Sequence, residues 1–143
     1  ICRAMTEHFG NALPEMLVEP GRFIVGEAGV VHTEVVLVSA RGRQDGPRWV
    51  YLDIGRFGGL AETEGESIRY AIRTARDGSP TGPVALAGPT CDGADILYEK
   101  SHYDLPLDLR SGEQIDLLGT GAYVSTYCST RFNGFAPLSE YYI

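Results

Sequence analysis

The four residues Glu19-Pro20-Gly21-Arg22 gather a carboxylate, a flexible backbone position and a guanidinium in one short stretch. Glycine lets a backbone N–H approach a ligand closely, and arginine offers a planar fork of donors suited to phosphate. Proline fixes the local φ and removes a competing donor. A carboxylate just ahead of an anion-binding arginine suits a ligand that joins a basic ring nitrogen to a phosphate, as pyridoxal phosphate does. The same four residues also make an ordinary surface turn closed by an ion pair.

Gly88-Pro89-Thr90-Cys91-Asp92-Gly93-Ala94-Asp95 cannot continue a strand, because proline and glycine interrupt a ladder, so Cys91 falls in a loop. Carboxylates at Asp92 and Asp95 disfavour a thiolate. They argue against a protease-type nucleophile and fit a thiol that donates a proton or positions a cationic substrate. A free thiol is also commonly a small buried hydrophobe. Glu62, Glu64 and Glu66 form a solvated face, or one of them receives a substrate amine. The Tyr123 hydroxyl, after Gly121-Ala122, reaches a phosphate or simply packs. His8, His32 and His102 share no spacing, and Cys2, Cys91 and Cys128 lack metal-ligand spacing, so no metal site is expected.

The chain of 143 residues suffices for a domain with its own core. Its net charge of −7, from 12 basic and 19 acidic residues without a basic cluster, makes nucleic acid and anionic membranes poor partners. No apolar run approaches about 18 residues and no signal-peptide pattern is present. With an odd number of cysteines, this points to the reducing cytoplasm. The chain opens on Ile1 and holds a single lysine, Lys100, which suggests a piece of something longer.

These groups need elements to position them. Ile1, Met5 and Phe9 recur at helical spacing, and Met16-Leu17-Val18 read as a brief strand. Such a helix and strand resemble the close of a βα unit in a parallel barrel, which requires parallel neighbours. Residues 23–29 suit a short helical turn. Residues 33–40 and 49–54 form a hairpin across a polar turn at 41–47. Residues 55–65 read as a glycine-rich loop, 67–76 as a strand and 77–83 as a turn. Further short strands are expected at 84–87, 96–98, 114–118 and 141–143. Many short strands between Gly and Pro turns predict a mainly β barrel or sandwich.

Taken in order, E-P-G-R, D-I-G-R-F-G-G, G-P-T-C-D-G-A-D, G-A-Y and F-N-G-F resemble the ornithine/diaminopimelate/arginine decarboxylases, pyridoxal-phosphate enzymes of the alanine-racemase fold type. Residues 51–63 are most similar to the bacterial lysine/ornithine enzymes. The resemblance implies the C-terminal β-domain of a group IV decarboxylase at residues 23–143. Before it, residues 1–22 would be the last helix and strand of an N-terminal (β/α)₈ barrel. It further implies a pyridoxal phosphate site in which Glu19 pairs with the ring nitrogen while Gly21, Arg22 and Tyr123 hold the phosphate. Cys91 and Asp92 would enter the partner's site in a homodimer with shared active sites. There Cys91 would help return a proton to the substrate carbon and Asp92 would meet the distal amine. Glu66 is a further candidate for that amine, and Phe132 would wedge into the interface near the substrate.

The implied reaction is decarboxylation of L-ornithine and L-lysine to putrescine and cadaverine. The implied alternatives are the diaminopimelate, arginine or carboxynorspermidine enzymes, or a non-catalytic regulatory homologue. The family's cofactor lysine has no counterpart here, so this chain alone is expected to be inactive. Phe57 also departs from the Tyr of eukaryotic ornithine enzymes.

Overall fold

The computed structural model describes residues 1–39 and 46–143; the expected turn at 41–47 therefore lies largely outside the described residues. β-Branched residues alternate with polar ones from Val31 to Val35 in β1 (Val30–Ser39), which turns Val31, Thr33 and Val35 inward and leaves Val30, His32 and Glu34 outward. Its first half pairs antiparallel with β7 (Gln114–Leu118), from Val30 opposite Leu118 to Glu34 opposite Gln114. Its second half pairs antiparallel with β2 (Arg48–Leu52), from Val35 opposite Leu52 to Ser39 opposite Trp49. The hairpin is as expected. A bulge between Val35 and Leu37 marks the change of partner. There Asp53 accepts the Glu34 N–H at 3.0 Å and the Thr33 hydroxyl.

β2 runs parallel to β4 (Thr81–Ala87), whose other edge carries two short antiparallel strands, β5 (Ile96–Leu97) and β6 (Tyr103–Pro106). β3 (Ala71–Thr74) pairs antiparallel with β7 and completes the order β3-β7-β1-β2-β4-β5, with β6 beside β4. Ile115 and Leu117 from one end of this order share a core with Leu97 and Leu105 from the other, so the sheet curls into a half-barrel. The mainly β expectation holds.

Tyrosine hydroxyls lock the two ends together. Tyr98 accepts the Tyr70 N–H at 3.0 Å, while Tyr103 accepts the Ile72 N–H at 3.1 Å. The Arg69 guanidinium lies 4.8 and 4.6 Å from the centroids of those two rings.

Several expectations change. Residues 16–18 form no strand: no ladder partner exists for them among the described residues, and Leu17 is 87% exposed. Residues 141–143 form no strand either and are exposed for the same lack of a partner. The stretch 55–65 is not an open loop but helical turns over Arg56–Leu60 and Ala61–Glu66, closed by Leu60 N–H to Gly55 O at 3.0 Å. Leu60 and Thr63 point inward there and are fully buried. The predicted strand at 67–76 is paired only over Ala71–Thr74, and β4 starts at Thr81, inside the predicted turn. α1 (Cys2–Phe9) is helical as its spacing implies, yet none of its residues is buried.

Candidate functional site

The first cluster forms where the glycine-rich segment after β7 folds onto α2 (Gly21–Val25). The Gly121 N–H donates to Gly26 O at 2.9 Å, and the Thr120 N–H to Gly29 O at 3.0 Å. A Cβ on Gly121 would come within 1.8 Å of the Val25 carbonyl oxygen, so only glycine permits this approach. The next residues therefore arrive over the start of α2. Tyr123 adopts φ 57°, and its hydroxyl lies 3.2 Å from where a Cβ on Gly21 would be. The Arg22 guanidinium lies 5.6 Å from the Tyr123 ring centroid and its Nη2 contacts the Glu62 carboxylate. Burial opposes the arginine's charge, but Glu62 and the Tyr70 hydroxyl more than offset it, and the guanidinium pKa rises. Glu19 precedes this cluster and is exposed. A hollow of about 380 Å³ lies beside it, lined by Gly21, Val25, Gly121 and Tyr123.

The second cluster is the cysteine loop, and its hub is Asp95, only 1% exposed. Its carboxylate accepts the Arg56 N–H at 2.7 Å, the Thr90 N–H at 3.2 Å and the Thr90 hydroxyl at 2.6 Å. Cβ atoms on Gly55 and Gly88 would fall 2.1 and 2.2 Å from its oxygens, so both glycines make room for this carboxylate. Asp92 accepts the Ala94 N–H at 2.8 Å and closes a local turn. Cys91, just before Asp92, adopts φ 59° and is exposed, with Sγ 3.9 Å from Pro89 O. The F-N-G-F segment clamps the loop from outside. The Asn133 amide donates to Thr90 O at 2.7 Å, and Phe132 stacks on Phe57 with centroids 4.0 Å apart.

A cleft of about 920 Å³ runs from Tyr123 past Phe57 and Phe132 to Thr90 and so joins the two clusters. Glu66 fastens a different loop. Its carboxylate accepts the Lys100 N–H at 2.6 Å, the Ser101 N–H at 3.1 Å and the Ser101 hydroxyl, and that hydroxyl foremost draws its pKa below the usual carboxylate range. Glu62, from the same acidic run, is the carboxylate that reaches the first cluster. Sequence reasoning gave Asp95 no structural role; the signal available was the pair of glycines, Gly55 and Gly88, in separate motifs. Among the described residues, no three or more His, Cys, Asp or Glu side chains converge as a metal site would require, and no helix is long and apolar enough to cross a membrane.

The family described as pyridoxal-dependent decarboxylase, C-terminal sheet domain, matches residues 22–121. A lysine/ornithine decarboxylase of Selenomonas ruminantium is 31% identical over 134 residues, covering 92% of this chain and 32% of the relative. A diaminopimelate decarboxylase of Actinosynnema pretiosum subsp. auranticum is 33% identical over 114 residues, covering 78% and 24%. The crystal structure of the Paramecium bursaria Chlorella virus arginine decarboxylase bound to agmatine superposes with a TM-score of 0.73 at 28% identity, covering 94% of this chain and 36% of that one. The chain thus spans about a quarter to a third of the length of the curated relatives it matches.

Proposed function

We propose, because the chain belongs to the pyridoxal-dependent decarboxylases and carries their C-terminal sheet domain, that it supplies one part of an active site removing the α-carboxyl group of L-ornithine and L-lysine. The observation that carries this reading is the meeting of Gly21, Arg22 and Tyr123 across the length of the chain. Together they offer a phosphate a backbone without a Cβ, a guanidinium fork and a phenol hydroxyl. When bound, pyridoxal phosphate supplies the electron sink for loss of the carboxylate.

The chain's own residues do the rest. Arg22, Gly21 and Tyr123 anchor the phosphate, and Glu19 keeps the ring nitrogen protonated by pairing with it. Cys91, exposed on a loop that Asp95 holds rigid, returns a proton to the α-carbon. Asp92, exposed beside it, receives the distal amine, and Phe132 walls the substrate cleft. As the family resemblance implies, Cys91 and Asp92 serve the partner's site in a homodimer, and their exposure is compatible with that role. Residues 1–22 close the cofactor-carrying barrel of the same polypeptide, residues 23–143 form the β-domain, and the enzyme works in the cytoplasm. Without the barrel and its lysine, residues 1–143 alone are inactive.

A second reading keeps the chemistry and changes the substrate to diaminopimelate or arginine, favoured by the 33% identity and the TM-score of 0.73 above. Turnover assays on the full-length enzyme separate the two. One methylene is worth only about 1–3 kcal/mol, so ornithine and lysine should differ in kcat/KM by less than about 200-fold. Diaminopimelate, whose second carboxylate would meet Asp92, should be turned over far less well. More efficient turnover of diaminopimelate or arginine would replace the first reading with the second.

A further inference from the structure

The arginine of the cup is held by a residue from another motif. Glu62 sits in the helical turn Ala61–Glu66, forty positions along the chain, and its carboxylate meets Arg22 Nη2. The two side chains are 30% and 23% exposed, so the pair is largely but not wholly withdrawn from water. On another side of the guanidinium lies the Tyr123 ring. Tyr70, 3% exposed, has a buried hydroxyl without a hydrogen-bond partner among the described residues, and burial raises its pKa.

Two effects of Glu62 on a phosphate in the cup oppose each other. Its negative charge repels the anion, whereas its contact removes rotamer freedom from a long side chain and orients the fork. A guanidinium has five N–H donors, and engaging Nη2 leaves donors for an anion. The arginine's own charge offsets that of the carboxylate it pairs with, while the orientation of the fork persists. We propose that Glu62 is a positioning residue that holds the Arg22 guanidinium against Tyr123, so that the fork is already aimed when a phosphate arrives. This rests on the reading of Gly21, Arg22 and Tyr123 as a phosphate cup.

The test is a binding titration on the full-length enzyme freed of cofactor, comparing pyridoxal phosphate with pyridoxal. The dissociation constant of pyridoxal divided by that of pyridoxal phosphate isolates the phosphate's share from everything that acts on the ring. Arg22→Ala should collapse that ratio; if it does not, the cup reading fails and this inference fails with it. With Arg22 behaving as expected, Glu62→Ala should lower the ratio at least fivefold, with pyridoxal affinity unchanged. Glu62→Gln, which keeps an acceptor of the same shape, should lower it only about twofold. A residue needed merely for folding would weaken both ligands together. An unchanged or increased ratio in either Glu62 variant would show that repulsion, not positioning, governs the site. Should Glu62→Ala fail to fold, the isosteric Glu62→Gln decides alone.

Discussion

The sheet and the N-terminal segment use the same kinds of side chain to opposite effect. In the sheet, Val35, Val50, Leu52 and Val84 have no exposed surface. In residues 1–25, Ile1 is 80%, Leu17 87% and Phe23 94% exposed, and no residue of α1 or α2 is buried. Fully burying one such side chain contributes about 1.5–3 kcal/mol. The sheet therefore stabilises itself, while the N-terminal segment carries apolar surface suited to being covered. On our reading the cover is the rest of the barrel. The cup of Gly21, Arg22 and Tyr123 forms where these two regions meet, and for that reason it needs both.

The sharpest way to break this contrast is to truncate one leucine in each region. Leu52→Ala should lower the unfolding free energy of this chain by about 2–5 kcal/mol in a urea titration. Leu17→Ala should change it by less than about 0.5 kcal/mol, as an exposed site does. Equal losses would mean that the N-terminal segment packs on the sheet.

The cysteine loop extends the contrast, because its residues are exposed at Cys91 but anchored inside at Asp95. Asp95→Ala strands the Thr90 and Arg56 N–H groups, and a buried donor without a partner costs about 1–3 kcal/mol. Thermal or urea unfolding should show that loss, whereas Asp92→Ala, at an exposed turn, should cost much less. Comparable costs would remove Asp95 from its place as hub.

A smaller effect sits at the far edge of the sheet. The Arg76 guanidinium, by hydrogen bonding to Glu113, draws that carboxyl down to about 2 from 4.5. A depressed carboxyl stabilises the fold above its unfolded pKa and loses that contribution as pH falls through the folded one. The midpoint of unfolding should thus drop between about pH 4.5 and pH 2, and Arg76→Ala should flatten the drop in that window. An unchanged profile in the variant would exclude the pair as its source.

Much of the sheet was legible because local pattern and tertiary environment agree there. The β-rich run in β1, the returning strand β2 and the run Gln114–Leu118 each carry their own signal. β6 was missed because Tyr103-Asp104-Leu105-Pro106 is short, ends in proline, and becomes a strand only by pairing with β4. Residues 16–18 failed in the opposite sense: an apolar run is no strand without neighbours. In the candidate site, glycine-rich motifs are what single out Gly21, Arg22, Cys91 and Tyr123. The contacts of Glu62 and Asp95 were not legible, since a carboxylate's role depends on what the fold brings to it from dozens of residues away.

Whether the exposed cysteine loop completes a neighbour's site can be measured directly in the full-length enzyme. A subunit carrying Cys91→Ala is mixed with one whose barrel lacks the cofactor lysine, and exchange is followed by mass spectrometry. If Cys91 serves the partner, each mixed dimer regains one intact site. Random exchange makes half the dimers mixed, so activity should recover to about a quarter of wild type. A mixture that exchanges its subunits yet stays inactive would contradict the account.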